Sequence, residues 1–336
     1  MRYTSFGKTG LRVSQIALGT GNFGMGWGHG ADPDTSKAVF NAYADAGGNF
    51  IDTADIYQFG QSEELLSSML QGRRENFVLA TKFTNGAVSN ADRLVTGNSR
   101  KALVSSVEGS LKRLKTDRID IYWAHHPDGV TPAEEIVRGF EDLARAGKIL
   151  YAGLSNFPAW RLSRAVTLAE LTHAVPIAAA QFEHSLVHRE PEADLLPASE
   201  ALGLGVVTWS PLGGGMLTGK YRQKGKGRAE GMGGRVFQPE NSAQRTKVLD
   251  TVLAIAGELG VSADQVAIAW AGTHGAVPMI GPRSLTQLTS NLGAIAIELS
   301  SDQLDRLDST SSLDPSAPAR KPVPWASDAK APNTIA

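Results

Sequence analysis

The chain has no cysteine among its 336 residues. This absence excludes disulfide bridges, zinc sites built on thiolates and catalytic thiols, and it is compatible with a reducing compartment. Excess charge of either sign is also missing, because 33 Lys and Arg balance 34 Asp and Glu for a net charge of −1. No basic run stands out, so the sequence argues against nucleic acid and anionic membrane surfaces as partners.

Long hydrophobic runs are absent as well. No uninterrupted apolar stretch approaches the roughly 18 residues of a membrane span, and the first residues, MRYTSFGK, contain no apolar signal segment. We therefore expect a protein of the cytoplasm. With 42% hydrophobic residues, the chain still has ample material for a large core.

Short apolar runs alternate with segments of helical spacing along most of the chain. The predicted strands are Ile16–Gly19, Phe50–Asp52, Val78–Lys82, Ile119–His125, Tyr151–Ser155, Ala178–Glu183, Gly205–Ser210 and Pro278–Ile280. The predicted helices are Thr35–Ala46, Ser62–Leu70, Ser99–Leu114, Pro132–Ala146, Ala159–Leu171, Pro191–Leu202, Ala243–Leu259 and Leu285–Ala294. Continuous alternation predicts a parallel sheet, and eight units close naturally into a (β/α)8 TIM barrel. A doubly wound open sheet, divided near Ala174, is the alternative, but it would need a break in the alternation.

The ends of the chain carry further signals. Arg2–Phe6 and Leu11–Ser14 flank the turn sequence GKTG, which predicts a β-hairpin plugging the bottom of the barrel. Asp302–Leu307 predicts one more helix. We expect residues 1–313 to form a single barrel domain, and residues 314–336, rich in proline and alanine, to form an extended or partly disordered tail.

Two glycine-rich stretches match nucleotide-binding fingerprints without their structural context. Gly19–Gly24 satisfies G-x-G-x-x-G, but glycine at every second position of Met25–Gly30 disfavours the helix that a Rossmann motif requires. Gly214–Lys220 satisfies G-x-x-x-x-G-K, but Tyr221 stands where a P-loop needs the Ser or Thr that binds magnesium. Neither stretch therefore predicts the nucleotide-binding unit that its motif belongs to.

Polar side chains concentrate at the carboxyl ends of consecutive strands. Asp52 ends the second barrel strand, Tyr57 follows five residues later, Lys82 closes the third strand and His125 closes the fourth. Each residue taken singly has an ordinary structural explanation, such as a turn former, a packed ring or a lysine with an exposed end. Because the active site of a barrel lies at this end, their joint occurrence favours acid–base chemistry.

Several motifs resemble the aldo/keto reductase family. They are GGNFIDTADIY (Gly47–Tyr57), TK (Thr81, Lys82), IDIYWAHHPD (Ile119–Asp128) and GLSNF (Gly153–Phe157), and the resemblance extends to IGPRSLTQLTSNL (Ile280–Leu292). It covers essentially the whole chain, with the motifs in family order. The resemblance implies NADPH-dependent, reversible reduction of an aldehyde or ketone to the alcohol, with no metal.

The resemblance also implies a role for each member of the tetrad. Tyr57 would be the general acid that protonates the carbonyl oxygen. Lys82 would lower the pKa of the phenol, and Asp52 would keep Lys82 charged and oriented. His125 would donate a hydrogen bond to the carbonyl oxygen and stabilise its developing negative charge.

A set of NADP(H) contacts follows from the same resemblance. Those at the nicotinamide end are Gly19, Thr20, Asp52, Ser155, Asn156, Gln181 and Trp209. Those of the glycine-rich loop that covers the phosphates are Ser210, Pro211, Leu212, Gly213, Gly215 and Lys220, with Arg235 beyond it. Those at the adenosine end are Gly281, Arg283, Gln287 and Asn291. A guanidinium at Arg283 favours a ribose 2′-phosphate, hence NADP(H) over NAD(H). Ser290 departs from the family, whose members often carry an acidic residue there.

The substrate residues and the function class remain open at this point. Met25, Trp27, Phe83 and Trp123 indicate an apolar, aromatic-lined pocket for an aryl aldehyde or cyclic ketone, with residues 22–30 as a flexible wall. The sequence does not decide between a monomer and a homo-oligomer. Some family members are cofactor-binding potassium-channel subunits with slow turnover, but His125 favours a working enzyme, since such subunits depart from the tetrad there. A barrel lyase or isomerase with Lys82 as a Schiff base would leave Asp52 and Tyr57 unexplained.

Overall fold

The computed structural model describes residues 1–223 and 237–312 of the chain. Two short antiparallel strands come first, β1 (Tyr3–Ser5) and β2 (Arg12–Ser14). Eight parallel strands follow: β3 Ala17–Gly19, β4 Phe50–Asp52, β5 Val78–Phe83, β6 Ile119–Ala124, β7 Ile149–Ser155, β8 Ile177–Glu183, β9 Gly205–Trp209 and β10 Val277–Ile280. Each pairs with the next in chain order, and β10 pairs with β3 to close the ring. The predicted (β/α)8 barrel is therefore confirmed.

Helices surround the barrel. They are α1 Pro33–Asp45, α2 Gln61–Leu70, α3 Arg100–Leu114, α4 Ala133–Arg145, α5 Ala159–Leu171, α6 Leu195–Leu202, α7 Ala243–Leu259, α8 Ala263–Gly272, α9 Leu285–Gly293 and α10 Ser301–Ser311. Serine side chains cap several N-termini, as at Ser99, whose hydroxyl accepts from the Ala102 N–H. Short 3-10 turns lie at Tyr57–Gly60, Arg74–Asn76, Glu190–Ala193, Gly213–Thr218, Lys220–Gln223 and Ala294–Ala296.

Alternating side chains along the strands build two cores. Inward-facing residues such as Phe50, Ala80 and Ile121 fill the barrel interior. Outward-facing ones such as Tyr122 pack on the helices, for example against Phe140 of α4. Because both faces are buried, the strands read as nearly continuous apolar runs in the sequence.

The predicted hairpin is present and closes the amino end of the barrel. Phe6, just after β1, is buried and meets the Phe50 ring edge-on at a centroid distance of 5.4 Å. A cavity of about 420 Å³ lies at this end, lined in part by Arg2, Gln15 and Thr273. It is at the opposite end of the barrel from the strand ends that carry Asp52 and Lys82.

Some predicted elements differ from those observed. Helix α8 was not predicted, although Ser262 and Gln265 form a capping box at its start. The predicted helix Pro191–Leu202 divides into a 3-10 turn, Glu190–Ala193, and the shorter α6. The predicted tail, residues 314–336, lies outside the described residues.

The helices were also compared with the length and hydropathy of a membrane span. In the described ranges, no single helix is both long and apolar enough. Only α7 and α8 taken together meet that test, and they are bent by 102° relative to each other. Val252 of α7 and Trp270 of α8 are buried in the same apolar cluster.

Candidate active site

The side chains at the ends of the second and third barrel strands meet at the carboxyl end of the barrel. Lys82 forms an ion pair with Asp52, and both side chains are fully buried. The Lys82 ammonium also donates hydrogen bonds to the Thr53 carbonyl oxygen at 2.8 Å and to the Tyr57 hydroxyl at 3.3 Å. One buried cation therefore joins a carboxylate to the phenol.

Burial and charge act in opposite directions on this ion pair. Burial lowers the pKa of Lys82, but the Asp52 carboxylate and the Tyr57 phenol together more than offset this effect, so that the pKa lies above its usual value. Burial raises the pKa of Asp52, against the effects of the Lys82 charge and of a 3.0 Å hydrogen bond from Gln181 Nε2. Lys82 thus keeps its proton at neutral pH, with Asp52 as its counter-ion.

Tyr57 opens a strained turn. The next two residues, Gln58 and Phe59, have left-handed φ values of 52° and 55°, a costly conformation for residues other than glycine that concentrates at functional sites. The buried Gln58 amide donates to the Gly21 carbonyl oxygen at 2.9 Å and accepts from the Trp27 N–H at 2.9 Å. The turn therefore holds the loop after β3 against the phenol, where the Trp27 ring meets Tyr57 edge-on at 6.0 Å.

His125 follows β6 and is half-buried. Its backbone N–H is 3.2 Å from both the Phe83 carbonyl oxygen and the Thr84 hydroxyl, and its ring stands edge-on to Tyr57 at 5.9 Å. Burial, followed by the Lys82 charge, holds the pKa of His125 well below its usual value. The imidazole is therefore neutral at physiological pH, and it can still donate one hydrogen bond.

Four residues predicted for the nicotinamide end of a cofactor lie together at the ends of three neighbouring strands. The Asn156 amide nitrogen is 3.0 Å from the Ser155 hydroxyl and 2.9 Å from the His125 carbonyl oxygen, and its oxygen accepts from the Trp209 indole at 3.0 Å. The Asn156 backbone N–H donates to the Gln181 carbonyl oxygen at 2.7 Å. These bonds tie the ends of β7, β8 and β9 to His125.

Gly19 and Thr20 stand at the end of β3. The Thr20 N–H and hydroxyl donate to the Asp52 carbonyl oxygen at 2.9 and 3.1 Å, and Thr20 is fully buried. A Cβ at Gly19 would lie 2.8 Å from the Met279 side chain. Thr20 therefore braces the strand that carries Asp52, and Gly19 allows β3 to pack closely on Met279 of β10. Contact of either residue with a cofactor stays a prediction.

A glycine-rich loop follows β9 and contains Ser210, Pro211, Leu212, Gly213 and Gly215. Three consecutive glycines, Gly213 to Gly215, have φ values of 55°, 65° and 94°. A residue with a side chain would be strained in this backbone conformation. The backbone N–H of Gly214 donates to the Ser210 hydroxyl at 3.0 Å. The N–H groups of Gly213 and Gly215 also donate within the loop, to the carbonyl oxygens of Ser210 and Leu212 at 2.8 and 2.9 Å. Contact of this loop with a phosphate therefore stays a prediction. Arg235, predicted as a further contact, lies outside the described residues.

Lys220, at the end of this loop, lies near a second cation, Arg283, which precedes α9. Burial, followed by the charge of Arg283, lowers the pKa of Lys220. Neither residue forms an ion pair with an acidic group in the described part of the chain. The Arg283 backbone N–H donates to the Gln287 side-chain oxygen at 2.9 Å, which fixes the start of α9. Two like charges with no acidic partner among the described residues make this part of the surface positive, which attracts anions.

At the adenosine end, a carboxylate from another helix lies beside Ser290, the position where family members often carry an acidic residue. The Gly281 carbonyl oxygen accepts from Asn22 Nδ2 at 2.7 Å. Asn291 Nδ2 and the Ser290 hydroxyl donate to the same oxygen of Asp264, at 2.7 and 2.8 Å. Helix α8, which the sequence pattern did not predict, thus supplies a carboxylate next to the position that lacks one at Ser290.

The substrate residues divide between the site and the core. Met25 is 50% exposed and, like Trp27, belongs to the loop beside Tyr57. The prediction for Phe83 is wrong, because its side chain is fully buried on the outer face of the barrel and stacks on Tyr122 at 5.2 Å. Successive strand residues face opposite sides, so the residue after the inward-facing Lys82 must point outward.

Trp123 also lies outside the predicted substrate pocket. It pairs in register with Lys82 and with Gly153, is fully buried, and fills the barrel interior. A Cβ at Gly153 would lie 2.4 Å from the indole ring. With no exposed surface, Trp123 cannot line a substrate pocket in this structure, and that prediction is wrong.

Three residues of the site were not found from the sequence. Gln58 holds the loop after β3, Asp264 binds Asn291, and Asn85 lies beside His125. Asn85 could have been found as a polar residue just beyond a barrel strand, but Gln58 and Asp264 carry no local signal because their partners are distant in sequence.

Comparison with known proteins agrees with this arrangement. The model of the aldo/keto reductase family matches residues 15–312. A Bacillus subtilis protein named uncharacterized oxidoreductase YrpG is 38% identical over 92% of this chain and 95% of its own length. A protein of Oryza sativa subsp. japonica, named a probable voltage-gated potassium channel subunit beta, is 36% identical over 88% of this chain and 92% of its own length. Norsolorinic acid reductase of Aspergillus flavus is 33% identical over 91% of this chain and 79% of its own length. The chain therefore belongs to the aldo/keto reductase family of oxidoreductases.

Proposed function

We propose that this protein uses NADPH to reduce an aldehyde or ketone to the alcohol, reversibly. The observation that carries the proposal is the fully buried Lys82 ammonium, which is paired with Asp52 and lies 3.3 Å from the Tyr57 hydroxyl. A phenol titrates near pH 10 in water, and an adjacent cation favours its ionised form. This arrangement makes Tyr57 a proton donor suited to neutral pH.

The protein's part in the reaction is proton transfer and charge stabilisation. When bound, NADPH supplies the hydride to the carbonyl carbon. Tyr57 gives its hydroxyl proton to the carbonyl oxygen, and Lys82 stabilises the phenolate that remains. His125, neutral and half-buried, donates a hydrogen bond to the same oxygen and orients it. Asp52 takes no proton and holds the ammonium in place.

Residues present at the far end of the site fit a phosphorylated dinucleotide. Lys220 and Arg283 lie near each other without an acidic partner in the described ranges, and the loop before them carries three left-handed glycines. A guanidinium binds phosphate through two parallel hydrogen bonds. This pairing supports NADP(H) over NAD(H), with Arg283 on the 2′-phosphate and Lys220 on phosphate.

Aromatic rings beside Tyr57 support an aryl carbonyl substrate. Trp27 meets both Tyr57 and Phe59 edge-on, at 6.0 and 6.4 Å, and the exposed Met25 belongs to the same loop. A planar ring brought to Tyr57 with its carbonyl group would contact Trp27. Aromatic pairs of this geometry contribute about 0.5–1.5 kcal/mol beyond area burial.

The experiment is a screen of NADPH oxidation by the purified protein over aromatic and aliphatic aldehydes and ketones. We expect turnover with aromatic aldehydes, lower kcat/KM for aliphatic ones of equal carbon count, and weaker activity with NADH. Trp27→Ala should reduce this aromatic preference, and Trp160→Ala, which removes a largely exposed indole on α5, serves as the matched control. Absence of turnover with every carbonyl, despite NADPH binding, would contradict the proposal.

A cofactor-binding subunit of a channel is the second candidate, favoured by the rice relative's name. His125 argues for the enzyme, because it gives this chain a complete set of proton-transfer groups. NADPH binding with only vestigial turnover, together with co-purification of a channel, would favour the subunit. The expected location is the cytoplasm. Light scattering on the purified protein would measure its molar mass and so decide between a monomer and a homo-oligomer.

A further inference from the structure

Asn85 lies between two adjacent histidine rings beside Tyr57. Its side-chain nitrogen is 3.2 Å from Nδ1 of His125, and its side-chain oxygen is 2.9 Å from Nε2 of His126. An amide nitrogen can only donate and an amide oxygen can only accept. With the amide in this orientation, Nδ1 of His125 is the acceptor and Nε2 of His126 carries a hydrogen. The other nitrogen of His126, Nδ1, lies 3.3 Å from the Pro127 carbonyl oxygen.

The turn before Asn85 is strained and anchored. Thr84 has a φ of 111°, which is costly for a β-branched residue. Its hydroxyl donates to the Asn98 side-chain oxygen at 2.7 Å, and Asn98 Nδ2 donates to the His126 carbonyl oxygen at 2.8 Å. The turn that directs Asn85 towards the two rings is thus tied to the same pair of histidines.

The direction of the Asn85 hydrogen bond decides which His125 nitrogen holds the proton. In a neutral imidazole one nitrogen is a donor and the other an acceptor, so an acceptor at Nδ1 leaves the hydrogen on Nε2. The donated bond also opposes a second proton, and it adds to the effects of burial and of the Lys82 and His126 charges, which lower the pKa of His125. A carboxylate in place of this amide would attract a proton to Nδ1 instead.

We propose that Asn85 is a positioning residue that fixes His125 as the neutral tautomer whose Nε2–H donates to the carbonyl oxygen. This inference rests on the proposed function, which gives that N–H its partner. The tautomer itself is a property of the free protein and can be measured without substrate. Among the described residues, the titratable and charged groups that act on the His125 ring are the Tyr57 phenol, the Lys82 ammonium and His126.

Two substitutions separate the hydrogen bond from the space that Asn85 fills. Asn85→Leu keeps the approximate size and removes both polar ends, and Asn85→Asp keeps the shape but replaces the donor with an acceptor. Nitrogen–proton correlation NMR on histidine-labelled full-length protein distinguishes protonated from bare ring nitrogens. His125 signals are assigned by their loss in His125→Gln.

We expect wild-type His125 to show a protonated Nε2 and a bare Nδ1 at neutral pH. In Asn85→Asp, Nδ1 should become protonated. A wild-type ring protonated on Nδ1, or a His125 spectrum that Asn85→Asp leaves unchanged, would overturn the proposal. Thermal unfolding and NADPH affinity show whether each variant is folded, and a variant that does not fold leaves the wild-type tautomer as the deciding result.

Kinetics supply a second readout. Asn85→Leu should lower kcat about 10- to 100-fold with little change in KM, a loss of the size seen when the hydrogen-bond partner of a metal-binding histidine is removed. The ratio of Asn85→Asp to wild-type turnover should fall as pH rises, because the carboxylate raises the pKa of His125 and the imidazolium then loses its proton from Nε2. Equal, pH-independent losses in both variants would indicate a merely structural residue and overturn the proposal. If wild type reduces no carbonyl, the proposed function fails, while NMR still decides the tautomer.

Discussion

Asp55→Asn should stabilise the protein, and only above acidic pH. Asp55 is 1% exposed, and its Oδ1 has no hydrogen-bond partner among the described residues. Burial, followed by the Glu63 charge, raises the pKa of this carboxyl from 3.8 to about 7. The folded state therefore holds the proton more tightly than the unfolded state, and stability falls as pH rises from about 4 through about 7. Asparagine has the same shape, can still accept from the Gly86 N–H, and carries no charge.

The magnitude follows from the separation of the two pKa values. A pKa difference of about three units means that Asp55 lowers the free energy of unfolding by about 4 kcal/mol once the pH exceeds both pKa values. Near pH 4 the same carboxyl lowers it by less than about 1 kcal/mol. Urea unfolding of wild type and variant, at about pH 4 and about pH 8, measures the gain at each end of this window. Asp92→Asn, at an exposed loop position, is the control. A gain of equal size at both pH values, or a loss at the higher one, would refute the reasoning.

The remaining predictions concern charge and packing. Lys82→Met should destabilise the protein by about 3–5 kcal/mol because it leaves Asp52 charged and buried, and adding Asp52→Asn should recover most of that loss in urea unfolding. Arg283→Ala should weaken NADPH binding by about 1.5–3 kcal/mol in fluorescence titrations and leave NADH affinity nearly unchanged; equal losses would contradict the 2′-phosphate assignment. Gly153→Ala, whose Cβ would lie 2.4 Å from the Trp123 ring, should lower stability by about 1–3 kcal/mol, and an unchanged midpoint would contradict this packing.

Most of the fold could be predicted because its local signals agree. The strands are buried on both faces and read as apolar runs, and helix periodicity separates them, so the barrel follows from their count. Helix α8 was not predicted because it is apolar on most sides, with Val266, Ala267, Ile268 and Trp270 all buried. Its capping box was the available signal. The start of α6 was misplaced because Pro191 fits the first turn of a 3-10 helix as well as that of an α-helix.

The candidate site was predictable only in part. Asp52, Lys82 and His125 follow from their positions at strand ends, and the structure brings Lys82 within hydrogen-bond distance of Tyr57. Alternation alone could have excluded Phe83, since it follows an inward-facing residue. The sequence could not show that Trp123 is buried in the barrel interior and does not reach the pocket, because the register between strands depends on closure of the whole barrel. The contact of Asn85 with His125 depends on the left-handed turn at Thr84, which no residue preference predicts.

Tyr57→Phe is the most direct test of the central claim that the phenol is the proton donor of a carbonyl reductase. The substitution removes one oxygen atom and keeps the ring that packs against Trp27 and His125. The account predicts a kcat about 10²–10⁴-fold below wild type with the best aldehyde of the screen, with NADPH affinity by fluorescence unchanged. A near wild-type kcat in a variant that binds NADPH normally would contradict the account.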